Sequence, residues 1–290
     1  MNLNKSLTKL LYPSPISGEA CSSIIRSELQ KDKPSMIARF GSTELQALLY
    51  PLLPNFARFP LRKRVHHSIR DLSGFFPVSD QAIEKFSKLM FDDMKQLDVL
   101  GSWRIEELLV LKNFPDAIRI ELRGLEPYLS ENPWTEHLEN LRVLVVHPFN
   151  TTIERQYHEN RTLLFNDIKM LPKFKSLQTI KAVQTAAGNK SEFNDWFEAL
   201  DSMKSSIDSK DYDVAIIGCG AYGFPLAAHV KRMGKKAIHL GGATQILFGI
   251  KGRRWDDRPL ISRLYNEHWV RPAPEDIPAD ANKVDNGAYW

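Results

Sequence analysis

Three glycines between an apolar run and an amphipathic one have the spacing of a phosphate-binding turn. Gly218, Gly220 and Gly223 give the pattern G-x-G-x-x-G between "VAII" and "FPLAAHVKRM". Glycine permits a tight turn and a close approach of a ligand to the backbone, and the helix that follows directs free N–H groups at a phosphate. The pattern alone is weak evidence, because any tight turn between a strand and a helix favours glycine.

The residues that follow these glycines argue against NAD(P). A dinucleotide site places Asp or Glu about 20 residues further on, at the end of the next strand, to bind the ribose. Here that strand ends in "AIHLGG", with His239 and Leu240 at this place and no Arg for a 2′-phosphate. The glycines also lie too late in the chain for a usual six-stranded dinucleotide fold. We therefore expect a different phosphate-bearing ligand and no NAD.

A second candidate site follows the apolar run 36–40. Gly41 turns the chain, and Ser42 is placed to cap a helix that carries Glu44 in its first turn. Ser and Glu at these positions are ordinary helix-start chemistry. They would equally place Arg39 and Glu44 at the carboxyl edge of a strand, where open α/β sheets bind ligands and a carboxylate can hold a metal or act as a base. Both interpretations stay open on the residues alone.

Glycines and cations come together again in the stretch 239–257. Gly241 and Gly242 precede Thr244, in a loop that can form a backbone anion nest. A basic cluster with an aromatic neighbour follows: Lys251, Arg253, Arg254 and Trp255. Such a cluster can clamp a diphosphate while the ring stacks on a base or sugar, but it can also be a solvated basic turn. Because loops after neighbouring parallel strands open on one edge of a sheet, we expect this loop and the turn at 218–223 to face one ligand.

His147 lies near the end of the apolar run 141–149. It is a candidate base or hydrogen-bond donor, although a lone His at a strand end is more often structural. The chain has no G-x-S-x-G elbow, Walker loop or H-E-x-x-H pattern. Hydrolases and kinases of those types are therefore not expected.

Short apolar runs alternate with longer amphipathic stretches, which is typical of an α/β fold. We predict strands at 35–40, 98–102, 117–122, 141–149, 177–184, 212–218 and 235–241. We predict helices at 43–50, 79–96, 151–165, 191–207 and 224–233. Thr151 and Glu154 have capping-box spacing at the start of the third helix. The expected structure is a single Rossmann-like α/β domain over residues 1–290, with a mostly parallel sheet, helices on both faces and two halves that meet near residue 140.

Composition narrows the function classes. The 290 residues are 43% hydrophobic and 26% charged, which is ordinary for a globular protein. The net charge of +4 suits phosphate-bearing ligands or an anionic membrane surface, and no Lys/Arg run is dense enough to indicate nucleic acid. Cys21 and Cys219 are far apart, so neither a disulfide framework nor a structural zinc site is expected.

No stretch of the sequence has the length and apolarity of a membrane span, and we expect a cytoplasmic protein. A short apolar patch near the start is a candidate for peripheral contact with the inner face of the membrane. It consists of Leu7, Leu10 and Leu11 beside Lys5 and Lys9. The segment "VDNGAYW" at 284–290 could pack on another subunit of a homo-oligomer or close the site.

Two separated stretches resemble one family. "IARFGSTEL" at 37–45 resembles the first strand and turn of bacterial glycosyltransferases of the GT-D class, which carry Arg-x-Gly followed by Asp-x-Glu. The stretch 216–255 is similar to the C-terminal half of GT-D-like proteins from surface-polysaccharide gene clusters. The resemblance covers roughly residues 35 to 290. It implies a Rossmann-like fold and transfer of a sugar from a nucleotide-sugar donor to a glycan or lipid-linked acceptor.

One position departs from the family's turn. Arg39, Gly41 and Glu44 match it, but Ser42 stands where the family has Asp. The resemblance implies a divalent cation, Mn²⁺ or Mg²⁺, at the donor diphosphate, and here one hard carboxylate ligand is missing. Three alternatives remain: Glu44 holds the metal with help from elsewhere, the cations of 251–254 replace it, or transferase activity has been lost.

These considerations give a set of expected site residues. The expected catalytic residues are Glu44, Arg39 and His147, with Glu44 also the metal ligand. The expected donor-binding residues are Gly41, Ser42, Gly218, Gly220, Tyr222, Gly223, Gly241, Gly242, Thr244, Lys251, Arg253 and Arg254. The alternatives to a glycosyltransferase are an atypical NAD(P)-binding oxidoreductase and a non-catalytic scaffold of the same fold that binds a nucleotide-sugar.

Overall fold

The protein is built on one seven-stranded parallel sheet. A computed structural model describes residues 13–186, 191–278, 281 and 287–290. The strands are β1 Ser35–Ala38, β2 Val99–Ser102, β3 Ile118–Glu121, β4 Arg142–His147, β5 Ser176–Lys181, β6 Val214–Ile217 and β7 Lys236–His239. They are arranged in the order β3-β2-β1-β7-β6-β4-β5, and every neighbouring pair is parallel. All seven predicted strands and the Rossmann-like α/β class are confirmed.

Ten α-helices lie before, between and after the strands in the described part of the chain. They are α1 Glu19–Gln30, α2 Ser42–Leu49, α3 Asn55–Ser73, α4 Asp80–Met94, α5 Asn150–Arg155, α6 Trp196–Asp208, α7 Gly223–Arg232, α8 Ala243–Leu247, α9 Arg253–Asp256 and α10 Pro259–Ser262. Helices α2, α4, α6 and α7 confirm the predicted ones to within a few residues. Helices α1 and α3 and the short helices α8, α9 and α10 were not predicted. None of the helices described is long and apolar enough to cross a membrane.

The predicted helical stretch at 151–165 forms over 150–163, but only its first part is α-helical and its predicted cap was wrong. Helix α5 begins at Asn150 after Phe149, which makes no side-chain cap, and it gives way to a π turn at 156–160. The capping box of Thr151 and Glu154 therefore does not form. The helix start is instead held by the Asp276 carboxylate, which accepts hydrogen bonds from the Thr152 amide (2.8 Å) and hydroxyl (2.6 Å).

Two apolar layers cover the two faces of the sheet. The strands β1, β2 and β6 are buried at every position, which is why they appear as continuous apolar runs in the sequence. Met36 and Ala38 pack into one layer with side chains of α2, α3, α4, α6 and α7, whereas Ile37 between them packs into the other. The alternation along β1 shows that helices and connecting segments shield both faces.

The connections bring all seven strand carboxyl ends to one edge of the sheet. The chain leaves β4 toward β5 on one side, and leaves the neighbouring β6 toward β7 on the other. Such a reversal opens a crevice at the carboxyl ends, where open α/β sheets bind their ligands. The apolar patch at Leu7, Leu10 and Leu11 lies outside the described residues.

Candidate active site at the carboxyl edge of the sheet

A cavity of about 430 Å³ occupies this crevice, a volume in the range of small-molecule sites. A residue at or just after the end of every strand lines it. In chain order of the strands, these include Arg39, Trp103, Leu122, His147, Val183, Gly218 and His239. The segments after all seven strands therefore form the cavity together, and the Gly-rich turn after β6 is one of them.

Arg39, directly after β1, places a fixed cation in the wall. Its Nε and Nη2 donate to the Phe40 carbonyl at 3.2 and 3.0 Å, and its Cζ lies 5.2 Å from the Trp103 ring centroid. Burial lowers the pKa of Arg39, but a guanidinium stays charged at neutral pH. The side chain reaches the β7 turn, because a Cβ on Gly241 would lie 3.3 Å from Nη1.

Glu44 folds back over the turn that precedes it. Its Oε2 accepts from the Thr43 hydroxyl at 2.9 Å, and a Cβ on Gly41 would meet this oxygen at 1.7 Å. Gly41 is thus needed for the carboxylate to sit where it does. Gly41 is also the N-cap of α2, and Ser42 is the first helical residue, so the expectation that Ser42 caps the helix was wrong. Arg39, Gly41, Ser42 and Glu44 all line the cavity.

The glycines of the G-x-G-x-x-G turn allow other parts of the same chain to pack closely against the turn. A Cβ on Gly218 would lie 2.5 Å from Thr244 Oγ1, and one on Gly223 would lie 2.1 Å from His239 Cε1. Gly220 has φ +56° and packs against the Ser73 carbonyl. The spacing of these glycines therefore has an intramolecular explanation. Gly218, Gly220 and Tyr222 line the cavity, whereas Gly223 lies behind its wall.

Two buried histidines of the cavity wall are protonated on different ring nitrogens. The Phe149 amide donates to His147 Nδ1 at 3.0 Å, which leaves the proton of the neutral ring on Nε2. His239 Nδ1 lies 3.2 Å from the Ile217 carbonyl, which only accepts, so there the proton is on Nδ1 and Nε2 is the acceptor. Burial lowers the pKa of both rings to about 3, and Arg39 adds to the shift of His239. At neutral pH the site has one imidazole that donates and one that accepts.

The structure separates the three cations of the basic cluster. Arg254 lines the cavity, with its Cζ 5.1 Å from the Trp255 ring centroid and 4.8 Å from that of Tyr289. Lys251 and Arg253 do not line it: Lys251 Nζ lies over Tyr265 at 5.5 Å, and Arg253 is exposed. Of the small residues in the same loop, Gly241 and Gly242 line the cavity and Thr244 does not.

Sequence reasoning missed much of the wall, including three side chains suited to ligand binding. Arg258 comes one residue after the stretch that was singled out, and it is a third cavity arginine. Glu126 and Trp103 follow β3 and β2, in loops that carry no recognisable motif. Burial raises the pKa of Glu126, and nearby arginines, including Arg39, oppose that shift. The position of Trp103 at the end of a predicted strand was the available signal.

A metal ion would find few protein ligands here. Among the described residues, no three His, Cys, Asp or Glu side chains are grouped as a metal site. Glu44 and Glu126 are the carboxylates of the described cavity wall. Mg²⁺ is commonly bound through one or two carboxylates together with substrate phosphates and water. Glu44 fits the role of a single protein ligand for a cation that arrives with a diphosphate.

Comparisons with known proteins give one similar structure. No family model matches the sequence, and no curated protein matches it. The chain is similar to a solved structure described as the selenomethionine-substituted domain of unknown function 1792, with 13% identity, a TM-score of 0.44 and 79% of each chain covered. A likeness of this degree carries no argument about function.

Proposed function

We propose that the chain is a glycosyltransferase, which binds a nucleotide-sugar donor in this cavity and transfers the sugar to a glycan or lipid-linked acceptor in surface-polysaccharide synthesis. The proposal is supported by the resemblance of the Arg-x-Gly-x-x-Glu turn to the GT-D class. It is also supported by the position of that turn, beside the Gly-rich turn after β6, in one cavity.

The observation that carries the proposal is the convergence of three arginines from two distant parts of the sequence. Arg39, Arg254 and Arg258 line the same cavity as the aromatic rings of Trp103 and Tyr289. Guanidinium groups bind phosphate oxygens in a bidentate manner, and a planar ring stacks on a base or sugar. Three cations and an aromatic wall match a nucleoside diphosphate better than they match an uncharged metabolite.

The reaction breaks the bond between the sugar's anomeric carbon and the diphosphate and forms a bond to an acceptor oxygen. The arginines stabilise the charge that develops on the departing diphosphate. The acceptor's hydroxyl proton must pass to a base, and Glu44 is proposed either as this base or as the ligand of a divalent cation. His147 is proposed to donate a hydrogen bond from its Nε2–H to the bound substrate. A divalent cation, when bound, would further neutralise the diphosphate.

The chain offers a matched pair of variants to test this proposal. Arg254→Ala removes a cavity cation, whereas Arg253→Ala removes its exposed neighbour. We expect Arg254→Ala to weaken binding of a nucleoside diphosphate by about 10- to 100-fold, since hydrogen bonds to charged groups contribute about 1.5–3 kcal/mol. Arg253→Ala should leave binding unchanged. The measurement is a thermal-shift titration, in which ligand at about 100 times Kd stabilises the native state by about 2.7 kcal/mol.

The same titration compares ligand classes. Nucleoside diphosphates and nucleotide-sugars are tested with and without Mg²⁺ or Mn²⁺, beside NAD(H) and NADP(H). Stabilisation by NAD(P) alone, or equal losses in both arginine variants, would contradict the proposal. Glu44→Gln tests the metal: if an ion-dependent part of the shift exists and Glu44 is its ligand, that part disappears in the variant. Release of nucleoside diphosphate from the bound donor then separates an enzyme from a scaffold.

A further inference from the structure

Helix α3 exposes aromatic side chains to water. Phe56 is 82% exposed and Phe59 is 83% exposed, and Leu52 just before the helix is 59% exposed. Large apolar side chains that cluster on a surface generally mark an interaction site. The exposed group lies in the first turns of a 19-residue helix, on the side away from the sheet.

The same helix carries the whole net charge of the protein. Five of the chain's 39 Lys and Arg residues and one of its 35 Asp and Glu residues lie in Asn55–Ser73. Elsewhere the chain has 34 of each, so the remainder is neutral and α3 alone has the net charge of +4. The basic residues are Arg58, Arg62, Lys63, Arg64 and Arg70.

The aromatic and basic residues share one face. Positions 56, 59, 63, 66 and 70 follow each other at helical spacing of three or four residues, and His67 and Pro60 lie beside them. The opposite face buries Val65, Ile69 and Ser73 against the body of the protein. The outward face therefore has aromatic rings at its N-terminal end and cations along the turns that follow.

Some of these cations are paired within the protein. Arg62 Nε lies 3.1 Å from Asp80, and Arg70 Nε lies 2.6 Å from Asp71. The exposed side chains of Lys63 and Arg64 have no ion-pair partner among the described residues. The face as a whole is positive: Lys63 lies on it, one turn beyond Phe59, and Arg64 lies at its side, next to Pro60 and His67.

We propose that α3 docks the protein on an anionic lipid membrane, with Phe56 and Phe59 inserted at the level of the headgroups and Lys63 and Arg64 against lipid phosphates. Exposed rings beside a row of cations on one helix match an interfacial helix. The net charge of +4 on this helix complements an anionic surface.

The docking helix also connects its exposed face with the cavity. Leu72, Ser73 and Gly74, at the C-terminal end of α3, line the cavity. A lipid-linked acceptor could then reach the site without leaving the membrane. This consequence rests on the proposed function, whereas the docking itself does not.

Vesicle sedimentation tests the docking. We expect the full chain to sediment with vesicles that contain phosphatidylglycerol, to remain in solution with pure phosphatidylcholine, and to be released by salt. Lys63→Gln together with Arg64→Gln should weaken binding by about 30-fold, since each basic residue near an anionic surface contributes about 1 kcal/mol. Phe56→Ser together with Phe59→Ser should also reduce the bound fraction.

Matched controls change equivalent exposed residues elsewhere. Lys173→Gln with Lys175→Gln removes the same charge, and Leu163→Ser with Ile168→Ser removes exposed apolar side chains away from α3. Both should bind as the parent chain does. Binding that no α3 variant weakens, or equal binding to neutral vesicles, would overturn the proposal. So would a dimer in size-exclusion chromatography that the Phe56/Phe59 variant dissociates, because a second copy would then cover this face. The nucleotide-induced thermal shift of each α3 variant is measured as well. If it equals that of the parent chain, a failure of membrane docking is independent of the proposed function.

Discussion

At the scale of single residues, the two cavity histidines link the site to the protein's stability. Burial holds the pKa of His147 and His239 at about 3, against about 6.5 for a hydrated imidazole. Between these values the unfolded chain binds a proton that the folded chain does not, so stability falls as the pH decreases below 6.5. Each buried ring should contribute a slope of about 1.4 kcal/mol per pH unit in that window.

His147→Asn should remove one such slope. The Asn Oδ1 can still accept from the Phe149 amide, so the local fold is retained. From pH 6.5 to 5 the parent chain should lose about 2 kcal/mol more than the variant does, as measured by urea unfolding at each pH. Asp93 acts in the opposite direction, because burial raises its pKa to about 6 and it costs stability as the pH rises from about 4 through 6. The difference between parent and variant isolates the histidine.

The control for this experiment is His158→Asn. The His158 side chain is exposed and this variant retains both buried rings, so it should keep the slope that they contribute. If His147→Asn were to show the same slope as His158→Asn, His147 would be protonated in the folded protein near neutral pH, and its role as a neutral donor would fail.

The sequence predicted part of the lining of the candidate cavity. Arg39, Glu44 and Gly218 follow strands, and parallel strands necessarily bring their carboxyl ends together. Arg253 and Arg254 are consecutive residues of the short helix α9 and point in different directions about its axis. The orientation of this helix in the fold places Arg254 at the cavity and leaves Arg253 in water. Composition and spacing do not determine that orientation.

At the scale of elements, Gly223 decides how closely α7 packs on β7. Its missing Cβ would lie 2.1 Å from the ring of His239, a buried side chain hydrogen-bonded to the Ile217 carbonyl. We expect Gly223→Ala to destabilise the protein by about 1–3 kcal/mol, because the ring has no room to move. The measurement is urea unfolding of the single and double variants with His239→Ala.

The double variant distinguishes packing from ligand binding as the reason for this glycine. In the His239→Ala background the added methyl group meets empty space, so Gly223→Ala should cost little or nothing there. The cycle should give a coupling energy of at least about 1 kcal/mol. Equal costs in both backgrounds would show that the ring is not what excludes a side chain at this position.

The strands were easier to predict than the helices for a physical reason. Parallel strands covered on both faces are apolar throughout, and their runs are bounded by polar turns. Helix α3 buries only three of its 19 residues, and its remaining surface is rich in Arg and Lys, so the amphipathic pattern is weak. Helix α3, which the pattern did not predict, is the helix that we propose to bind a membrane.

At the scale of the whole molecule, the two halves share one sheet. Strand β1 from the first half pairs with β7 from the second, with Ser35, Met36 and Ile37 opposite Lys236, Ala237 and Ile238. Two ion pairs reinforce the junction. They are Arg232–Asp93 at 2.6 Å, between α7 and α4, and Lys231–Asp98 at 2.7 Å. If the two halves separated, β1 and β7 would each become an edge strand with unpaired backbone groups.

We therefore predict that the halves on either side of residue 140 unfold together. Native-state hydrogen exchange, read by mass spectrometry, should give β2 and β4 the same free energy of opening as denaturant increases. Arg232→Ala leaves the Asp93 carboxylate buried without its partner. It should lower that free energy by about 2 kcal/mol in both strands, less than the cost of breaking a fully buried pair because the arginine is part-exposed. A loss confined to β2, or two distinct opening energies in the parent chain, would mean that the second half folds as a separate unit and that the cavity, which draws on both halves, forms only when they dock.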